Sequence, residues 1–294
     1  MSSDDALIIC RILQDGSSML LLGTYAYLST LVPSVLAVAI GRQLRAFRLV
    51  AIAIAVGATC AVLPLEASAL GSGWDDATNL TTIRDILLDT STGKAWLLQA
   101  VAAIALVMTI WLVPRRQQAL TALCAGLLLG SRALTGHGDM REGAAGAFLQ
   151  SNYLVHVLSA GAWVGALVPL LLILRQLGQQ NHERDAALGL RRFSTAGHAV
   201  VALAVCSGAV NTGLILGSLP LAWSQPYQRL LAAKICIVGG MIVIALINRY
   251  VIVPRTKSGL RPAPHLLFCT TAIELMLGCG ALVLVNIFSA SDPF

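Results

Sequence analysis

Charge is what this chain has least of. Asp, Glu, Lys and Arg make up 12% of its 294 residues, about half the share of a water-soluble globule. Apolar residues make up 57% and arrive in long runs, and a run of about 20 residues crosses the hydrocarbon layer of a bilayer. A soluble domain of this length is excluded, and the chain reads as an all-α polytopic membrane protein. Other absences narrow the function. There is no glycine-rich loop to cradle phosphate and no nucleophile–base pair at catalytic-triad spacing, so no enzyme is expected. The net charge of +6 comes without a basic patch interleaved with aromatics, so no nucleic-acid partner is expected. None of the seven cysteines forms a CxxC pair; they fall in apolar runs and read as small buried side chains. The acidic start, MSSDDALIICRILQDG, lacks the basic segment and short apolar core of a cleavable signal.

What is present is a set of eight apolar stretches, at roughly 5–40, 47–70, 93–113, 117–135, 149–174, 193–217, 227–250 and 264–288. The loops between them alternate in charge. One set carries Arg42, Arg45, Arg48, Arg115, Arg116, Arg175, Arg184, Arg191, Arg192, Arg255, Lys257 and Arg261. The other carries Asp4, Asp5, Asp75, Asp76, Asp85, Asp89, Asp139, Glu142 and Asp292. Loops rich in Arg and Lys stay in the cytoplasm, so both termini are expected in the periplasm. The 71–92 loop holds Leu80, Ile83 and Leu87 at helical spacing, which predicts a short amphipathic helix at the outer surface, a lid or a spacer. An internal echo, CRILQDG (10–16) against VHVLSAG (155–161), suggests two four-helix units, 1–135 and 149–294, within a single transmembrane domain.

Polar residues inside such stretches are costly, about 2.5–3.5 kcal/mol for a charge at mid-membrane, and face the protein interior. Arg11 and Asp15 are four apart and share a helix face, so they can pair. With Arg132 and Lys234 they read as internal ion pairs that fix helix register. Glu66 follows the helix-bending Pro64. Asn211 and Glu274 lie deep in their spans; Glu274 either pairs with Lys234 or lines a cation path.

The histidines divide by depth. His182 and His265 read as solvated. His137 ends the fourth span and His156 lies about 10 Å into the fifth, joined by a short loop that also carries Asp139 and Met140. Imidazole nitrogen suits copper or zinc; a carboxylate favours Cu(II) and a thioether Cu(I). A histidine in a helix is also often just hydrogen-bonded, so both readings stand on the residues alone. His198 falls toward the cytoplasmic end of the sixth span and cannot share a site with His137. Trp74, Trp96, Trp111 and Trp223 fall near interfaces, as an aromatic belt requires. Trp163 does not. Gly161 and Gly165 flank it at GxxxG spacing, which lets a neighbouring helix approach. It reads as packing or as a gate below His156.

These residues resemble the copper resistance protein D family of bacterial inner-membrane proteins. The resemblance covers nearly the whole chain and is densest from 136 to 294. It rests on GH at 136–137, His156 followed by AWVG at 162–165, RFSTAGH at 192–198, SGAVN at 207–211, NRY…VP at 248–254 and Glu274. It implies copper movement between periplasm and cytoplasm, alongside a periplasmic copper-binding partner. His137 and His156, with Asp139 or Met140, are then the expected ligands; Glu66, Trp163, Asn211, Glu274 and His198 are candidates for the ion path or gate. The chain departs from the family pattern at Gln225-Pro226-Tyr227-Gln228, where a Thr-x-Tyr-Gly-like turn is usual, and at Glu66, where Gln is usual. It carries no Met-rich or His-rich tail, so any copper store belongs to another protein. Two other readings are a haem-binding redox protein, for which His156 and His198 lie at unmatched depths, and a non-transporting scaffold for a periplasmic copper carrier.

Overall fold

A computed structural model describes residues 2–71, 73–134, 143–177, 182–216, 225–257 and 263–289. The described residues contain helices and no strand. In chain order they are α1 (Ser3–Thr30), α2 (Ser34–Gln43), α3 (Arg45–Leu70), α4 (Leu80–Asp89), α5 (Ser91–Met108), α6 (Pro114–Gly130), α7 (Gly143–Leu174), α8 (Glu183–Leu216), α9 (Pro226–Ile247), α10 (Val253–Lys257) and α11 (Ala263–Phe288).

Helix boundaries follow local chemistry. Ser2 and Asp5 form a reciprocal capping box at the start of α1. Thr90 accepts from the Gly93 backbone at the start of α5. Pro114 and Pro226 open α6 and α9, where a missing N–H costs nothing. The first expected span, 5–40, is in fact two helices. Pro33 lacks a backbone donor and pushes Val32 out of the helical region, so α1 stops and α2 starts afresh. Within α3, Pro64 leaves the Cys60 carbonyl without its intrahelical donor.

Seven helices among the described residues are long and apolar enough to cross a membrane. The remaining expected span is α6, whose 17 residues rise about 25 Å. It reaches the roughly 30 Å of the hydrocarbon layer only with the 3-10 turn Ser131–Leu134 that follows it.

α1 is the central post. It packs on α3, α6, α7 and α11, and Leu21, Tyr25 and Leu28 on it are fully enclosed. Its closest neighbour is α7. A Cβ built on Gly23 would sit 2.5 Å from the Gly161 carbonyl oxygen and 2.6 Å from the Gly165 Cα. Only glycine permits that approach, and Thr24 Oγ1 uses it to donate to the Gly165 carbonyl at 3.0 Å. The helix that the GxxxG spacing admits is therefore α1. The second half is more open. Only 11% of the apolar window of α8, 11% of that of α9 and 17% of that of α11 is buried, against 61% for α7. α8 leans on α7 and α9 leans on α11, leaving an intramembrane slot between α8 and α9. This openness accounts for the exposure of Cys206, Cys236 and Cys279, while Cys60 lies on the outer face of α3. Cys10 and Cys124 are buried as expected, but Cys60, Cys206, Cys236 and Cys279 are exposed, on the lipid-facing surface.

Candidate functional site

Two cavities lined by described residues matter here. The polar one, about 330 Å³, is lined by Arg11 and Asp15 of α1, Glu66 of α3, Arg132, Tyr153 and His156 of α7, Asn211 of α8, Lys234 of α9 and Asn286 of α11. Six helices and the 3-10 turn Ser131–Leu134, which carries Arg132, thus deliver side chains that are costly in hydrocarbon to one place, where each finds company.

The pairing differs from the local expectation. Arg11 does not turn to Asp15 on its own helix. Its Nη2 pairs with Glu66 Oε1 across the α1–α3 contact. Asp15 instead receives Arg132, whose Nε lies 3.4 Å from Oδ1. Both carboxylates are largely withdrawn from solvent, where an ion pair is retained only if each charge is matched. Beside the pairs, Gln14 donates to Thr59 Oγ1 at 2.9 Å and to Gln99 Oε1 at 3.0 Å, and Trp96 Nε1 donates to the Thr59 carbonyl at 2.8 Å. This network ties α1, α3 and α5 together next to the cavity wall.

Lys234 enters from the other side. Its Nζ lies 5.9 Å from the centroid of the Phe288 ring, within cation–π range. It does not meet Glu274. That carboxylate is 3% exposed and its Oε1 accepts from Trp163 Nε1 at 2.8 Å. Counted over the described lining, Arg11, Arg132 and Lys234 stand against Asp15 and Glu66, one formal positive charge in excess.

His156 is the nitrogen ligand this cavity offers. Its Nδ1 lies 2.9 Å from the Ala204 carbonyl oxygen. A carbonyl only accepts, so Nδ1 carries the hydrogen and Nε2 keeps its lone pair, the arrangement found where a second atom orients a metal-binding imidazole. Ser207 Oγ stands 3.3 Å from the same Nδ1. One turn along α7, Asn152 Nδ2 donates to the Ser207 carbonyl at 2.9 Å and to Asn211 Oδ1 at 2.7 Å. Gly208 leaves the space the ring occupies; a Cβ there would lie 3.0 Å from His156 Cε1. Asn152, Tyr153 and Asn286 were not singled out in the sequence, and Ser207 and Gly208 entered only within the SGAVN motif of the family resemblance. Asn152 lies four before His156, on the same helical face, and that spacing was the available signal.

His137, Asp139 and Met140 fall in 135–142, outside the described residues. The chain that carries them joins Arg132 to α7, and both lie on the cavity wall. Among the described residues no group of three or more His, Cys, Asp or Glu side chains is placed to hold a metal ion.

The second cavity, about 600 Å³, is the slot between α8 and α9. Trp163 and Glu274 lie in its wall, as does His198. His198 is exposed, with Nδ1 2.8 Å from the Ser194 carbonyl oxygen and Nε2 3.4 Å from the Tyr250 hydroxyl. His156 therefore meets α8 at the level of Ala204, six residues or about 9 Å from His198 along that helix. The two imidazoles line different cavities and do not face each other across one plane.

Comparison with known proteins bears on what these cavities serve. Residues 1–147 match the family described as copper resistance protein D-like, N-terminal domain, and residues 187–288 match copper resistance protein D. The chain is 31% identical over 289 residues to inner membrane protein YebZ of Escherichia coli strain K12, covering 98% of each. It is 30% identical over 232 residues to copper resistance protein D of Pseudomonas syringae pv. tomato, 76% of this chain and 74% of that one. It is 26% identical over 237 residues to copper transport protein CutJ of Bacillus subtilis strain 168, 78% of this chain and 42% of that one. No solved structure matches. The chain belongs to the copper resistance protein D family, and it is a multi-pass protein of the bacterial inner membrane.

Proposed function

We propose that this member of the copper resistance protein D family carries copper ions across the inner membrane, from periplasm to cytoplasm, as a transporter and not as an enzyme. The observation that carries the reading is His156: a histidine within a transmembrane helix, oriented through Nδ1 by Ala204 and open through Nε2 to a polar cavity. The names of its relatives, copper resistance protein D and copper transport protein CutJ, support copper as the cargo.

A bare ion does not enter low-dielectric surroundings without replacement ligands. His156 supplies one at the cavity, and His137, Asp139 and Met140 are the further ligands of the proposal. The acidic outer loops raise the local cation concentration. A periplasmic copper-binding protein delivers the ion. Inward of His156 the bundle is closed by an apolar layer of Met19, Trp163, Val164, Ala204 and Met241. The thioether sulfurs of Met19 and Met241 are that layer's soft donors and favour Cu(I). Below them the Trp163–Glu274 pair offers a carboxylate.

Uptake of copper by vesicles containing the purified protein tests the proposal. His156→Ala and His137→Ala should each reduce uptake at matched reconstitution. Protein-dependent binding without uptake would replace transport by a docking role, and normal uptake in both variants would remove the ligands proposed here.

A further inference from the structure

The slot between α8 and α9 is too apolar to be explained as an ion vestibule. It runs along α8 from Leu190 to Val205, about 22 Å at the helical rise. A volume of about 600 Å³ over that length leaves a continuous groove with room for a hydrocarbon chain, whose carbons keep about 4 Å from their neighbours. Val201, Val205, Ile242 and Leu246 line it, and its open side faces the bilayer because α8 and α9 scarcely meet.

One end of the slot is cationic. Arg249 lies in its wall and donates through Nη1 to the Ser194 carbonyl and hydroxyl, with its guanidinium carbon 5.6 Å from the Tyr250 ring centroid. These contacts hold the guanidinium in place without neutralising it. Arg192 donates to the carbonyl of Leu31, a wall residue, at 3.3 Å, which puts a second cation at the same rim. His198 adds a polar ring beside them. Of the other titratable groups in the wall, Glu274 accepts from Trp163 and Tyr27 is an enclosed phenol. Arg249 also sits in the π-helical turn Asn248–Ile252, the kind of irregularity that recurs at binding sites. The arginine-rich end is the cytoplasmic one by the loop charges.

From this we infer that the slot is a binding site for one acyl chain of an anionic phospholipid of the cytoplasmic leaflet, whose phosphate rests on Arg249 and Arg192. Fixed cations between transmembrane helices select such headgroups, and the chain fills a groove that would otherwise leave the α8–α9 face unpacked.

Native mass spectrometry of the full-length protein tests this, with phosphatidylglycerol and phosphatidylethanolamine of identical chains added in equal amounts. The expected result is one retained phosphatidylglycerol per protein, in preference to phosphatidylethanolamine. Arg249→Gln should weaken that preference about fivefold, the weight of one arginine near an anionic surface, and Arg249→Lys should restore it. Gly197→Leu fills the slot itself, where an added Cβ meets nothing within 4 Å, and should abolish retention of both lipids. Gly213→Leu, equally free of contacts but off the slot, should leave retention intact. Equal retention of the two lipids overturns the headgroup assignment, as does wild-type selectivity in Arg249→Gln. A lipid-free dimer, or full retention in Gly197→Leu, overturns the slot. Copper uptake is a separate readout, so the failure of either proposal is recognisable without the other.

Discussion

Gly208 offers the sharpest test of how His156 is held. The glycine lies on α8 against the imidazole, and an added Cβ would sit 3.0 Å from Cε1 and 3.3 Å from Nδ1. Carbon atoms prefer about 3.5–4.0 Å, so Gly208→Ala asks the ring to retreat by about half an ångström. The Nδ1 bond to Ala204, 2.9 Å long, stretches but survives. Gly208→Val adds two further carbons about 1.5 Å beyond that Cβ, and the ring must move by roughly 2 Å. A contact beyond about 3.6 Å is no longer a hydrogen bond, so the link to Ala204 breaks. With it go the tautomer and the ring orientation. Losing an orienting partner of a metal-binding histidine costs about 10–100-fold in affinity, whereas the alanine variant should stay within a fewfold of the original. Overpacking should also lower the stability of the valine variant by about 1–3 kcal/mol, so folding must be checked by thermal unfolding in detergent. The assay is a Cu(I) titration of purified protein against a competing chelator, with His156→Ala as the reference. A folded valine variant that binds copper as tightly as the parent would show that ring orientation does not matter. Unchanged affinity in His156→Ala would remove the histidine altogether.

Four further outcomes follow from the same contacts. Arg11→Met and Glu66→Gln should each destabilise the protein by about 3 kcal/mol, because each strands a partly buried charge; the double variant should cost less than the two losses added, which a double-mutant cycle in chemical denaturation measures. Glu274→Gln keeps an acceptor for Trp163 Nε1 but removes the charge, so copper uptake should fall while the melting temperature holds; loss of both would make Glu274 a structural residue. Gly23→Ala drives a Cβ into the α7 backbone and should cost about 2 kcal/mol or more, read as a lower melting temperature and no change in copper affinity of the folded fraction. A periplasm-active reporter fused after Phe294 should be active in cells, and an inactive one would invert the orientation read from the loop charges.

The helical, membrane-spanning character was legible because it depends on composition and run length, which survive any tertiary detail. Individual helix ends were less so: the break at Pro33 is carried by one residue, and the stretch 5–40 is apolar across it. Partner choice was the least legible. Arg11 and Asp15 stand four apart on one helix, and local spacing joins them. In the fold, α3 and the end of α6 bring Glu66 and Arg132 within reach, and each takes one member of the pair. Glu274 was read either as a partner of Lys234 or as part of a cation path, and the first alternative rested on charge alone; α11 turns Glu274 toward Trp163 while Lys234 faces the cavity. Gly208 matters only because of what α7 places opposite it, and nothing in the sequence near 208 announces His156.

The surplus cation in the polar cavity constrains how copper can be held there. Glu66 and Asp15 are each engaged by an arginine, and Lys234 has an aromatic face in place of an acid. An arriving cation therefore meets a described lining that is one charge too positive. Coulomb repulsion between unit charges 4 Å apart is about 4 kcal/mol at an effective dielectric of 20, enough to cancel much of what one imidazole offers. Two exits exist. A carboxylate can change partners, releasing its arginine toward solvent, or further anionic donors can arrive with the ion. Asp139 and Glu142 lie in the stretch that joins two walls of this cavity, and a periplasmic carrier can bring donors of its own. Lys234→Gln separates the effect of the surplus from that of the ligands. It removes one positive charge and retains a polar head, so resting copper affinity at the cavity should rise several-fold in the chelator titration. A fall in affinity would mean that Lys234 is itself part of the donor set, and that the charge count is not what limits binding.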